Sequence, residues 1–171
     1  GVRLRVTHQG FSKSEAKSFT IAPYGLKVFK QRWYVLAASE YPDGRLLVYS
    51  LDRFTEVERT DISYTIPSDF DINEHFRSFY GVSSLSNAQP EIVQLRIDAS
   101  QVKFFRTLPL HHSQEEIETT DAYSVFQYYL VPTFELTKEI LSNGPYIEVL
   151  LPLSLREEIQ SKAKKMAEIY K

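Results

Sequence analysis

Alternation of apolar and polar positions dominates the first sixty residues. In "VRLRVTH" (2–8) Val2, Leu4 and Val6 fall on one side of an extended chain, and Arg3, Arg5 and Thr7 on the other. That period of two marks a half-buried strand. "SFTIAPYGLKVFK" (18–30) resumes it, punctuated by Pro23 and Gly25. "RWYVLAAS" (32–39) is an apolar run of strand length, and "LLVYSLD" (46–52) and "RFTEVERT" (53–60) complete five short strands. "QGFSKSEAK" (9–17) is a polar connection, and Pro42-Asp43-Gly44 signals a tight turn. No segment here has a helical period long enough to cover a sheet. A closed small barrel is therefore expected, since closure removes exposed edges.

The pattern changes near residue 66. Asp71, with Glu74 three residues on, has the spacing of a helix start. Ile72, His75, Phe76 and Phe79 then recur at helical spacing. "SSLSNAQP" (83–90) has the composition of a linker. From 91 onward the order reads strand ("EIVQLRID"), helix ("ASQVKFFRTL"), two antiparallel strands ("SQEEIETT", "AYSVFQYYLV"), helix ("FELTKEILS"), strand ("YIEVLL"), helix. Thr133 caps the second of these helices and Asn143-Gly144-Pro145 stops it. Ser154 with Glu157 predicts a capping box for the last, whose stripe is Leu155, Ile159, Ala163, Met166 and Tyr170. A β-α-β-β-α-β order is ferredoxin-like, here with an extra C-terminal helix. The expected fold class is α+β. Its expected parts are a barrel over 1–63, a helical linker over 64–89 and a ferredoxin-like domain over 90–171.

The 171 residues suit one ordinary domain or two small ones, and the absence of cysteine excludes disulfides and thiolate metal sites. A reducing cytoplasm is the expected setting. No apolar run approaches the roughly 20 residues that cross a bilayer. The net charge of −2 hides a split. Residues 1–60 carry ten Lys/Arg against six Asp/Glu, and residues 61–171 carry ten against sixteen. The basic part is the one suited to an anion.

Several chemistries are poorly supported. There is no Gly-rich phosphate loop, no His-Glu-x-x-His and no Gly-x-Ser-x-Gly, so no enzyme is expected. His111 and His112 stand beside Ser113, Glu115 and Glu116. Neighbours on a strand point to opposite faces, so the pair is not expected to share a metal ion. No cofactor is expected.

One set of residues carries a family likeness. "PYGLKVFKQRWYVLAAS" with "LLVYSLDRF" resembles the WYL domain, whose triplet is here Trp33-Tyr34-Val35, with Pro23-Tyr24-Gly25-Leu26 and Leu51-Asp52-Arg53 in place. "IPSDFDINEHFRSFYGV", "PEIVQLRID", "LPLHHSQEE", "FELTKEILSNGPYIEVLLPLSLREEI" and "AEIY" resemble, in order, the extension that follows WYL domains in bacterial regulators. The resemblance implies an Sm-like, SH3-type barrel before the ferredoxin-like domain. It also implies an N-terminal helix-turn-helix that reads DNA, which these residues do not contain. The expectation is thus a fragment of a dimeric, cytoplasmic transcriptional regulator. This part would sense a small anionic or oligonucleotide effector and serve oligomerisation. A free-standing module for single-stranded nucleic acid is the alternative. The chain departs from the family at Val35 in place of Leu, and at Ser50 and Leu47, where the family often has Arg.

Trp33 shares a strand face with Val35 and Ala37, so it is read as structural. Tyr34 offers a ring and a hydroxyl and is the stronger site candidate. Tyr49 and Arg53 lie four apart, and an arginine can hold phosphate or carboxylate through two parallel bonds. Arg45 lies nearby in sequence, Ser50 occupies a family arginine position, and His8 can bond an anion when protonated. The expected ligand set is Tyr34, Tyr49, Arg53, Arg45, His8 and Ser50.

Overall fold

A computed structural model describes residues 1–11, 13–40, 44–83 and 88–171. Pro42 and Asp43 of the expected turn, and residues 84–87 of the 83–90 linker, lie outside the described residues. Contacts divide the chain into two units, Gly1–Arg77 and Ser78–Lys171.

The first unit holds β1 (Val2–His8), β2 (Lys17–Phe29), β3 (Arg32–Ser39), β4 (Leu46–Ser50) and β5 (Phe54–Ser63), with a 3-10 turn at Leu51–Arg53. They form one antiparallel sheet in the order β4-β3-β2-β1-β5. The barrel is not closed: β4 and β5 are the two edges and no ladder joins them among the described residues. Two features account for this. The five-residue β4 runs straight into the 3-10 turn, which redirects the chain before a ladder can form. Side chains then occupy the gap, with Tyr49 and Phe54 ring centroids 6.0 Å apart. Both rings pack on a core of Val6, Ile21, Val35 and Ala37, so the sheet curls around that core without hydrogen-bonded closure.

A register shift between Pro23 and Gly25 bends β2. Gly25 also admits the following segment. A Cβ there would sit 2.5 Å from Ile72 Cδ1. Ile72 opens α1 (Ile72–Phe76), whose Phe76 is buried and lies under the Lys27 ammonium at 4.0 Å. Tyr24 packs edge-on against Phe70, 4.9 Å between centroids. This segment therefore covers the outer face of β2. The helix is shorter than its apolar spacing predicts and ends before Phe79. Asp71 caps it by accepting from the Asn73 amide, while Glu74 pairs with Arg77 instead of completing a box.

The second unit runs β6 (Glu91–Asp98), α2 (Ala99–Thr107), β7 (Glu115–Thr119), β8 (Tyr123–Leu130), α3 (Phe134–Ser142), β9 (Ile147–Leu151) and α4 (Leu153–Ile169). Its antiparallel sheet has the order β7-β8-β6-β9. Val93, Leu95 and Ile97 alternate inward from β6 and meet Phe126, Tyr128 and Leu130 of β8. Thr133 caps α3 by accepting from the Leu136 amide.

Two expectations fail in α4. The helix starts at Leu153, with Pro152 in the capping position and no side-chain cap bond. Ser154 already lies inside the first turn, too late to cap. The apolar stripe is also only half packed. Leu155 is buried and Ile159 leans on the core, but Ala163, Met166 and Tyr170 are exposed. His111 and His112 lie in the turn between α2 and β7, not on a strand. Their rings therefore stand side by side at 4.2 Å, and His111 hydrogen-bonds Ser113 Oγ at 2.7 Å.

Candidate functional site

Register decides which candidates of the first unit can meet. Val35 pairs with Tyr49, and Tyr34 with Ser50. Directly opposed residues share a face, so Tyr49 lies on the curled inner face and Tyr34 and Ser50 on the outer one. Ser50 is buried there and donates to Asp52, whose other oxygen faces Arg32 Nε at 3.4 Å. That Ser50 contact and the Arg32 charge hold the Asp52 carboxyl below the usual range.

The inner face carries an aromatic cluster. The His8 ring lies 5.6 Å from Tyr49 and 5.6 Å from Phe54, and Phe19 lies 5.4 Å from Tyr49. Beside it opens a cavity of about 730 Å³, walled by His8, Phe19, Leu47 and Tyr49 and rimmed by Lys13, Glu15, Lys17 and Glu40. A second cavity of about 300 Å³ is lined by Phe11, Lys13, Asp52 and Arg53, and the two share Gly10 and Lys13. The Arg53 guanidinium lies over the Phe11 ring at 4.2 Å, a cation–π contact. Its carbonyl accepts from the Gln9 amide at 3.1 Å, which ties the 3-10 turn to the end of β1. Arg53 Nε is shielded from solvent without a hydrogen-bond partner among the described residues.

Of the six expected ligand residues, the structure thus gathers His8, Tyr49 and Arg53 around two adjoining cavities. Arg45 is exposed just before β4, its carbonyl accepting from the amide of Ser39, another cavity residue. Tyr34 and Ser50 face away. Trp33 stays on the core side with Val35, yet it is 53% exposed, because it sits near the open end of the β2–β3 hairpin beside Val28. Phe19, Phe54, Phe11, Lys13 and Lys17 belong to the site without having been expected there. Phe19 was legible as a partner of Val6 once β1 and β2 pair. The loop residues carried no signal beyond polarity.

His8 is partly buried, and burial first, then the Arg53 charge, lowers its pKa from the ordinary 6.5. Above 6.5 the folded and unfolded forms are both neutral. As pH falls below 6.5 the unfolded chain takes the proton first, so stability declines with acidification. His75, lowered by burial and by Lys27, acts in the same direction. The melting temperature should fall on acidification through this window, and fall less in His8→Phe. Equal declines would show that His8 is not a source.

The comparisons bear on this geometry. Residues 1–59 match the model of the WYL domain and residues 89–167 that of the WCX domain. The chain carries a WYL domain followed by a WCX domain. No curated protein matches the sequence. Among solved structures, a CRISPR Cas-related protein aligns over 99% of this chain and 47% of its own, at 13% identity and a TM-score of 0.58. Proteasome accessory factor B/C (PafBC) of Arthrobacter aurescens aligns over 92% of this chain and 24% of its own, at 20% identity and a TM-score of 0.40. The chain thus spans under half the length of either. Both cavities lie against residues within the WYL match, and Leu47 gives the larger one an apolar wall.

Proposed function

We propose that the chain is the ligand-sensing and oligomerisation region of a bacterial transcriptional regulator, without catalytic activity of its own. In this reading the WYL unit is an opened Sm-like sheet that senses an anionic effector. The WCX unit is a ferredoxin-like domain that supports a homodimer. A DNA-reading helix-turn-helix elsewhere in the protein receives the signal in the cytoplasm. The observation that carries the reading is the larger cavity on the curled face with the smaller one adjoining it at the end of β1. It combines an aromatic wall of His8, Phe19 and Tyr49 with an Arg53 whose guanidinium lies over Phe11. Its volume suits a small ligand, for which pockets run from about 300 to 1,000 Å³. Arg53 supplies a planar donor set suited to carboxylate or phosphate.

The test is amide-resonance mapping of the full chain titrated with a panel of small carboxylates, inorganic phosphate and a short oligothymidylate. Shifts are expected around His8, Lys13, Phe19, Tyr49 and Arg53. Shifts confined to the WCX unit, or none with any probe, would overturn the reading.

A further inference from the structure

We infer that the ligand of the two adjoining cavities is a small ring-bearing monoanion that spans both, its ring seated in the larger cavity and its charged head held by Arg53 and Lys13. This rests on the proposal that the curled face of the WYL unit is the sensing site, and it names the ligand class.

The division of labour between the cavities carries the inference. Lys13 and Lys17 on the rim of the larger cavity are matched by Glu15 and Glu40. His8 adds no charge near neutrality, since burial and Arg53 disfavour its protonation. What remains is a pair of aromatic rings, an imidazole and Leu47, which suit a flat apolar body. The smaller cavity differs. It holds Lys13 and Arg53 against a single carboxylate, Asp52, and that carboxylate is already engaged by the Ser50 hydroxyl and Arg32. Counted together, Lys13, Lys17, Arg53 and Arg32 face Glu15, Glu40 and Asp52, which leaves one positive charge in excess, at the end where the Arg53 guanidinium lies over Phe11. A carboxylate matches that planar donor set.

A nucleic-acid strand fits less well. Strand binders present a continuous basic groove with successive stacking faces. Here the two glutamates would face the phosphates, and the basic character is confined to one end.

Gly10 lines both cavities, so it stands where they adjoin. A Cβ at Gly10 would meet only Lys13 Cγ, at an ordinary 3.6 Å, and the backbone there is not left-handed. A larger side chain is therefore tolerated by the fold but intrudes where the two cavities adjoin.

Calorimetric titration of the full chain tests this with naphthoate and indoleacetate as ring-bearing anions. Hexanoate serves as the chain anion, naphthalene methanol as the neutral ring, and a short oligothymidylate as the polyanion. A ring-bearing anion should bind at one site per chain, at least about tenfold more tightly than hexanoate or naphthalene methanol, because either control forgoes the ring contact or the charge-assisted bond. Gly10→Leu should abolish that binding while leaving the melting temperature unchanged. Binding of the oligothymidylate with neither ring-bearing anion bound would overturn the inference and leave the sensing site standing. Undiminished binding in Gly10→Leu would overturn the two-cavity arrangement. Failure of every probe would remove both the inference and the reading on which it rests.

Discussion

Replacing Leu155 with Asp is expected to unfold the WCX unit. Leu155 is 3% exposed and joins α4 to the core that β6, β8 and β9 share with α2 and α3. The helix docks through this first turn and more loosely through Ile159, so no later contact compensates for its loss. Truncation of a buried leucine alone costs about 2–5 kcal/mol, and a carboxylate in its place adds the penalty of burying charge. Domains of this size hold only about 5–15 kcal/mol in all. The control lies on the same helix. Met166→Asp falls on the exposed continuation of the stripe and should change stability by no more than about 0.5 kcal/mol. Thermal melts of the full chain followed by circular dichroism would distinguish the two. An unchanged melting temperature in Leu155→Asp would show that α4 is not packed on the sheet.

The contrast between Leu155 and Met166 also shows where pattern ceases to inform. The apolar spacing of α4 runs without interruption from 155 to 170, and nothing in the sequence marks where the sheet beneath it ends. Capping failed for a related reason. Ser154 and Glu157 have the right spacing, but the strand before them ends at Leu151, and the chain enters the helix at Leu153. Strands were more legible because period two leaves little freedom. β1 to β5 all overlap the five segments that read as strands, and the second unit keeps the expected element order. Closure of the first sheet was not legible. It depends on whether β4 is long enough to reach β5, and the 3-10 turn at Leu51–Arg53 lies inside what reads as strand. The hairpin between β2 and β3 was equally hidden. It turns through Lys30 and Gln31 at φ 46° and 64°, with none of the glycine or asparagine that usually marks such a turn.

The site divides along the same line. Strand parity, once register is known, separates Tyr49 from Tyr34 and returns Ser50 to the outer face. Sequence alone placed Tyr34 in the site because it judged the residue by its chemistry and not by its partner. Arg53 was legible as a fixed charge. Its stacking on Phe11 was not, since Phe11 lies in a connection that reads only as polar.

Arg53→Ala tests the central claim, that an anion is held on the curled face of the WYL unit, most directly. The Arg53 side chain lines the smaller cavity, and its turn is anchored to Gln9 by a backbone bond that the substitution leaves in place. Naphthoate and a short oligothymidylate would be titrated against the full chain and the variant, at low and at physiological salt. The account predicts that the anion which binds the parent loses about 1.5–3 kcal/mol in Arg53→Ala, roughly a tenfold to hundredfold weakening. Arg53→Lys should recover only part, because an ammonium cannot make the planar two-point contact. Tyr34→Phe, on the other face, should bind as the parent does. Equal affinity of the parent and Arg53→Ala at both salts would contradict the account and leave Arg53 a framework residue.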